Sequence, residues 1–446
     1  MTDKRLRMTD RRGEHFISPV NMLLGLNMEW RKKKLKGKGR GSSHAAGSFE
    51  YTFLVTVTLI LLAVGVVMVF SASWANAYFG ENQDSYFYLK RELFFAVMGL
   101  VFMFAMARTD YSRLRKVAPA LMLISLGMLL MVFIPGVGYC AKGACRWVGA
   151  GSATFQPSEL TKLAVILYVS TIMYTRPRLL GGIKRFALPI MGLPVLACLF
   201  ILAEPDMGTT ITIVITIAGM LLVGGVRLRD LAALGGGAGV LGLAFVAMAP
   251  YRVARFTAFL NPYEDAHGSG FQIIQSLVAL GSGGIFGVGI GKSIQKFNYL
   301  PEAHTDMILS IIGEEVGLLG VIAVIIFYGA FAYVGFRIAL RSRDLFGKYV
   351  AAGVTSLLVG QAAVNLCAVT GMLPLTGIPL PIISYGGSSL VVMLASIGIL
   401  LNIAVNQRSR IAAAPNRKFR AIEGGNSRRG DGRTSRTGSG SRRRVI

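Results

Sequence analysis

The stretch TFLVTVTLILLAVGVVMVF, residues 52–70, runs for 19 positions without a charged residue or a proline. As a helix rising about 1.5 Å per residue it reaches about 28 Å, close to the roughly 30 Å of a bilayer's hydrocarbon. The SAS at 71–73 imitates a signal-peptidase site. A cleaved signal has a shorter apolar core, however, and does not follow a 50-residue tail, so the run reads as a first membrane anchor.

Runs of the same kind recur along the chain, near 51–71, 92–107, 117–135, 159–175, 186–203, 208–226, 231–249, 306–336, 347–370 and 388–406. Of the 446 residues 53% are hydrophobic and only 15% charged, against about 25% charged in an average soluble domain. The expected fold is an all-α polytopic membrane protein of ten transmembrane helices. An even number of spans puts both termini on one side. The short connections expected on that side carry Arg108, Arg113, Arg115 and Lys116, then Arg176, Arg178, Lys184 and Arg185, then Arg227 and Arg229, then Arg337, Arg341, Arg343 and Lys348, which marks it as the cytoplasm.

The net charge of +25 is concentrated at the ends, because 24 of the 47 Lys and Arg lie in residues 1–50 and 407–446. Basic clusters beside membrane spans meet anionic lipid at the cytoplasmic face; nucleic acid is not expected as a partner. The domain plan is a basic cytoplasmic tail over 1–50, a membrane domain over 51–406, and a basic tail over 407–446 with too few apolar residues to fold alone.

Two outer loops stand out, 135–158 and 250–305, the second between helices 7 and 8. The second contains GSGFQIIQSLVALGSGGIFGVGIGKS (268–293), whose apolar pieces are too short to span. Irregular backbone at membrane depth persists only where protein or a wet cavity satisfies it, so a re-entrant or interfacial element is expected, the other reading being a mobile surface loop. Cys140 and Cys145 share the first loop and form a disulfide or remain two thiols according to the compartment they face.

Ionisable groups within spans are costly and mark function by default. They gather at the outer ends: Glu159 and Lys162 in QPSELTK, Glu204 and Asp206 in AEPDMGTT, and Asp306, Glu314 and Glu315 in YLPEAHTDMILSIIGEE, residues 299–315. Pro301 bars a helix interior, and Thr305 or Asp306 suits an N-cap, so the helix is expected to start there. Glu314 would then lie about 12 Å deeper than Asp306, beyond the roughly 5–9.5 Å of a glycosidase carboxylate pair. Glu315 would face a buried cation, Lys162 or another. Asp306 reads as a catalytic base or as an ordinary helix cap, His304 as a second acid or base or as a hydrogen-bonding support. Outer-facing Arg252, Arg255, Lys292 and Lys296 run against the orientation bias, as suits an anionic, lipid-linked substrate.

The strings FQPSELTKL (155–163), FLNPYEDAHGSGFQIIQSLVALGSGGIFGVGIGKS (259–293), YLPEAHTDMILSIIGEEVGLLG (299–320) and GMLPLTGIPLPIISYGGSSL (371–390) closely resemble the SEDS family of bacterial cell-wall proteins. The wording resembles the division branch, FtsW-like, more than the elongation branch, RodA-like. The resemblance implies ten transmembrane helices in the bacterial inner (cytoplasmic) membrane at the division septum. It also implies a peptidoglycan glycosyltransferase that polymerises lipid II on the outer face, working with a class B penicillin-binding transpeptidase and other divisome proteins. The family's essential aspartate falls on Asp306, and further family positions fall on Arg146, Trp147, Glu159, Lys162 and Glu315. Cys145 stands where the family has a second arginine, and Met307 where it has phenylalanine.

Taken together, Asp306 is the expected catalytic residue. Arg146, Trp147, Lys162, Arg252, Arg255, Lys292 and Lys296 are expected to bind substrate, and Glu159, Glu314, Glu315 and His304 to support the site. A divalent cation, Mg or Mn, is compatible with a diphosphate leaving group, and no organic cofactor is required. The alternatives are a lipid II flippase and a non-catalytic divisome scaffold.

Overall fold

A computed structural model describes residues 46–79, 84–141, 144–150, 153–248, 250–297 and 299–413. Most of both basic tails, and Lys142 of the first outer loop, lie outside the described residues. In chain order the helices are α1 Ala46–Phe79, α2 Phe87–Arg108, α3 Tyr111–Met131, α4 Pro157–Thr175, α5 Ile183–Ala203, α6 Met207–Val223, α7 Leu228–Ala247, α8 Pro250–Leu260, α9 Phe271–Ser282, α10 Ile308–Glu315, α11 Leu318–Arg341, α12 Leu345–Val369 and α13 Gly387–Ala413. Each of the ten apolar runs falls on a helix or, at 306–336, on two. Among the described residues, seven helices are long and apolar enough to cross a membrane: α1, α3, α5, α7, α11, α12 and α13. Of the others, α2 brings Lys90, Arg91 and Glu92 into its first turns, α4 carries Glu159 and Lys162, and α6 has 17 residues.

The bundle is layered around α12. Over its apolar stretch 78% of α12 is buried, whereas none of α7 is. Small residues of α12, Ala351, Ala352, Gly353 and Ala362, are buried where its neighbours approach closely. A Cβ at Gly353 would sit 2.7 Å from Ile166 of α4. The α13 helix packs along α2, and α6, α11 and α4 surround α12.

Two expectations are corrected. The fold is not purely helical, since the first outer loop forms a three-stranded antiparallel sheet, β1 Gly138–Ala141, β2 Ala144–Ala150 and β3 Ala153–Phe155. A disulfide joins Cys140 to Cys145, which face each other across β1 and β2. The other correction concerns the run from 306. The helix starts at Ile308, with Met307 at its N-cap position and no side-chain cap. Asp306 is therefore not the cap, and helical angles counted from it do not apply. The side-chain amide of Asn365 on α12 donates to the Asp306 carbonyl at 2.7 Å, holding it in a turn outside the helix. The same run then breaks at Gly317, whose φ of +79° only glycine adopts readily.

The break explains the glycine-rich loop. The last carbonyls of a helix lack intrahelical donors. Here Val288 N–H donates to Glu314 O at 2.9 Å, Gly289 N–H to Glu315 O at 3.0 Å, and Leu318 N–H to Gly284 O at 2.9 Å. The loop is thus docked on the helix break and does not hang free. Gly283 touches the Gly313 carbonyl so closely that a Cβ would sit 1.9 Å from it. On α9, Ser276 bonds both Ser310 of α10 (2.8 Å) and the Val369 carbonyl of α12 (2.7 Å).

Candidate active site

Asp306 is half-buried on a turn that spans residues 301–307. Thr305 Oγ1 donates to the Glu302 carbonyl (3.1 Å) and reaches one Asp306 oxygen at 3.3 Å. Asn365 Nδ2 spans the Asp306 carbonyl and the Ile378 carbonyl, at 2.7 and 2.8 Å. The carboxyl group lines a small indentation with Asn365, Thr376, Gly377 and Ile378. Gly377, at φ +67°, has no side chain to cover the acid; a Cβ there would come within 3.8 Å of Asp306 Oδ2. His304 backs this turn: its carbonyl accepts from Tyr385 N–H at 3.0 Å, and its ring lies 4.6 Å from that of Tyr88.

Below this turn lies a sealed polar layer. Glu315 is 1% exposed and accepts from Ser71 at 2.7 Å and from Lys296 at 3.1 Å. Glu314 accepts from Ser293 Oγ and, at 2.9 Å, from Ile294 N–H. Lys296 is fully buried; its Nζ also donates to the Gly291 carbonyl and lies 5.5 Å from the Trp74 ring centroid. The cation facing Glu315 is therefore Lys296, not Lys162. Lys162 closes a second pair, 2.7 Å from Glu159, and donates to Gln361 at 3.0 Å, both charges being buried. Gln361 in turn donates to the Pro379 carbonyl at 2.9 Å, fixing the segment beside Asp306. Lys162 and Lys296 stood among the substrate-binding candidates. In the structure both ammonium groups are buried against carboxylates.

The remaining candidates divide. Arg146, on β2, donates from Nε to the Glu204 carbonyl at 3.1 Å and from Nη2 to the Pro205 carbonyl. It thus clamps the sheet onto the α5–α6 turn. Trp147 follows it, half-buried and opposite Tyr139. On that turn, Asp206 caps α6 through Thr209 N–H at 3.0 Å. Gly208 packs on the rim of the Asp306 indentation, where a Cβ would lie 2.8 Å from the Thr376 carbonyl. Arg252 stacks on Phe245, 3.6 Å from the ring, and donates to its carbonyl, while Arg255 and Lys292 are exposed. Among the described residues no group of three or more His, Cys, Asp or Glu is placed to hold a metal ion.

Sequence reasoning missed Asn365, Gln361, Ser71 and Ser293. The first two were visible as polar residues in an apolar run, a pattern that marks function or pairing in spans. The serines carried no such signal.

Residues 51–409 match the family described as cell cycle proteins, FtsW/RodA/SpoVE. The chain belongs to this family. Over 344 residues, 76% of this chain and 93% of the relative, it is 44% identical to stage V sporulation protein E of Bacillus subtilis. It is 43% identical to a probable peptidoglycan glycosyltransferase FtsW of Geobacter sulfurreducens, over 79% of this chain and 93% of the relative. Among solved structures, a chain from a study of polymerization and crosslinking by a peptidoglycan synthase complex superposes with a TM-score of 0.62 at 29% identity, covering 79% of this chain and 97% of the other. The rod shape determining protein RodA of Thermus thermophilus superposes at 0.59 with 27% identity, over 79% of this chain and 96% of that one. This SEDS protein is an integral membrane protein with the RodA-like fold.

Proposed function

We propose that this SEDS protein is a peptidoglycan glycosyltransferase of the division branch, polymerising lipid II on the outer face of the cytoplasmic membrane at the septum. It crosses the membrane ten times with both termini inside, and its partner is a class B penicillin-binding transpeptidase of the divisome. The FtsW relatives and the synthase-complex neighbour support the activity and the partner. The basic inner connections support the orientation, as does a disulfide at the end of the bundle that carries the β-sheet, since disulfides persist on the oxidising side.

One observation carries the mechanism. Asp306 presents a half-buried carboxyl at an indentation while its own backbone is locked to α12. A base that abstracts a proton needs hydrogen-bond reach to the substrate and a fixed position. Asp306 takes the proton of the acceptor sugar's 4-hydroxyl as that oxygen attacks the donor's anomeric carbon with inversion. The bond from that carbon to the diphosphate breaks, and the lipid diphosphate leaves with the electron pair. The leaving group needs cations rather than a proton. Arg255 and Lys292, exposed on the second outer loop, Arg252 on α8, and Arg146 and Trp147 on β2 of the first outer loop are assigned to holding it.

The experiment is polymerisation of purified lipid II by the protein with its transpeptidase. Asp306→Asn, which preserves shape and removes the base, is expected to lower the rate by about 10²- to 10⁴-fold with an unchanged melting temperature. Full activity in this variant would overturn the assignment. Lipid II moved across vesicles without glycan chains would favour a flippase.

A further inference from the structure

A disulfide in the first outer loop sits at the start of a short mechanical chain that ends at Asp306. Cys140 and Cys145 are cross-strand partners, with Cys140 exposed and Cys145 half-buried. The next residue, Arg146, is bound through its guanidinium to the carbonyls of Glu204 and Pro205. Three residues on, Gly208 packs on the Thr376 carbonyl and the Ile378 side chain. The Ile378 carbonyl shares the Asn365 amide with that of Asp306. Each link is a close contact or a hydrogen bond, so the register of β2 sets how firmly the α5–α6 turn presses on the rim of the indentation.

Besides the bridge, the hairpin is held by β3 and by contacts of β2 with α4 and of β3 with α13. Two facing strands form a marginal structure alone, and β3 adds three residues. Removing the bridge leaves the register to the β1–β2 and β2–β3 ladders and to the two hydrogen bonds of Arg146.

We propose that the Cys140–Cys145 bridge is a thiol–disulfide modification site that controls the polymerase, a reading that rests on the proposed function. Its chemical partner is a dithiol reductant on the outer side. A thiolate of the reductant attacks exposed Cys140 Sγ, the Sγ–Sγ bond breaks, and Cys145 leaves as a thiolate that takes up a proton. The reductant's second thiol then resolves the mixed disulfide and frees Cys140. Two electrons and two protons pass to the protein, and the reductant becomes a disulfide; a disulfide oxidant reverses the exchange. In glycan polymerisation itself the two cysteines act by positioning and touch no reacting atom.

The test uses the full chain with its transpeptidase in vesicles, oxidised, reduced with dithiothreitol, and reoxidised after removing the reductant. Alkylation and mass measurement establish the thiol state. Misplacing a reacting group by about 1 Å costs on the order of a hundredfold, so reduction is expected to lower kcat by about tenfold or more, with KM less affected, and reoxidation to restore it. Hydrogen exchange at 138–150 is expected to speed up on reduction while α12 stays protected. Cys140→Ala/Cys145→Ala is expected to match the reduced wild type and ignore the reductant; Cys198→Ala/Cys367→Ala is expected to respond like wild type.

Full activity with both thiols free overturns the proposal, as does an oxidised preparation in which mass shows no bridge. An equal response to reductant in Cys140→Ala/Cys145→Ala also overturns it. If the untreated protein makes no glycan, the functional reading fails instead. The exchange measurement then still decides whether the bridge governs the hairpin, and unchanged exchange overturns that too.

Discussion

Asp306 and Glu315 stand nine residues apart in one segment, yet their surroundings are opposite. Glu315 is sealed at 1% exposure with a complete set of donors: two contacts from Ser71, one from Lys296 and a longer one from Ser293 N–H. Asp306 is half-exposed, its backbone held by Asn365 and its carboxyl group flanked by a glycine. A buried carboxylate is tolerated only when paired and hydrogen-bonded, so Glu315 and its neighbour Glu314 work as bolts between the glycine-rich loop, α1 and the helix break. An acid that is to take a proton needs the reverse: a fixed frame and an approachable oxygen. Position in the chain does not separate the two roles; the donors supplied by distant elements do.

After the loss expected for Asp306→Asn, the largest effect that tests this contrast is at Lys296. Lys296→Met leaves the Glu315 charge buried without its cation, which is expected to cost about 3–5 kcal/mol and to appear as a large fall in melting temperature. The double variant Lys296→Met/Glu315→Leu is expected to regain most of the stability and measurable polymerisation. A double variant that is stable but inactive would show that Lys296 meets the substrate, and the layer would cease to be only structural. A smaller effect is expected at Asn365. Asn365→Ala removes the amide that joins the carbonyls of Asp306 and Ile378, a loss of about 1–3 kcal/mol. The expected result is a roughly tenfold lower kcat by the equivalence of 1.36 kcal/mol per decade, with KM little altered. A change in KM alone would mean that Asn365 binds substrate and does not position the base.

What was legible in the sequence follows from the same physics. Each apolar run falls on helix because bilayer thickness sets a length that hydropathy reports directly. The break at Gly317 was hidden inside a continuous apolar run, and its cause lies far away, in the N–H groups of Val288 and Gly289 that take the last carbonyls of α10. The glycines of that loop were seen as irregular backbone needing satisfaction, and the structure supplies the partner. For Asp306, local capping rules gave the wrong start of the helix, because a side chain from α12, fifty-nine residues on, competes for its carbonyl. The sheet of β1, β2 and β3 was missed, although its glycines and alternating residues gave a faint hairpin pattern. The partner of Glu315 was a choice among buried cations that only packing could make.

Glu204 provides a third acid with which to sharpen the comparison. It is as buried as Glu315, at 1% exposure, but among the described residues no hydrogen-bond donor reaches its carboxyl oxygens. Burial and the neighbouring Asp206 push its carboxyl up to about 8 from an ordinary 4.5, with Arg146 pulling the other way. The folded state therefore holds a proton that the unfolded chain releases near pH 4.5. The contribution is fully present below that pH and is lost as the pH rises towards 8, because unfolding then frees a proton. Glu204→Gln keeps the shape without the charge. Its melting temperature is expected to match wild type near pH 5 and to exceed it at pH 9. Glu315→Gln, which breaks a completed pair, is expected to lower the melting temperature at both. If Glu204→Gln is instead equally destabilising at the two pH values, Glu204 has a donor and belongs with the bolts. If the variant matches wild type near pH 5 and exceeds it at pH 9, burial alone does not make a carboxylate structural, and its donors are what make Glu315 a bolt.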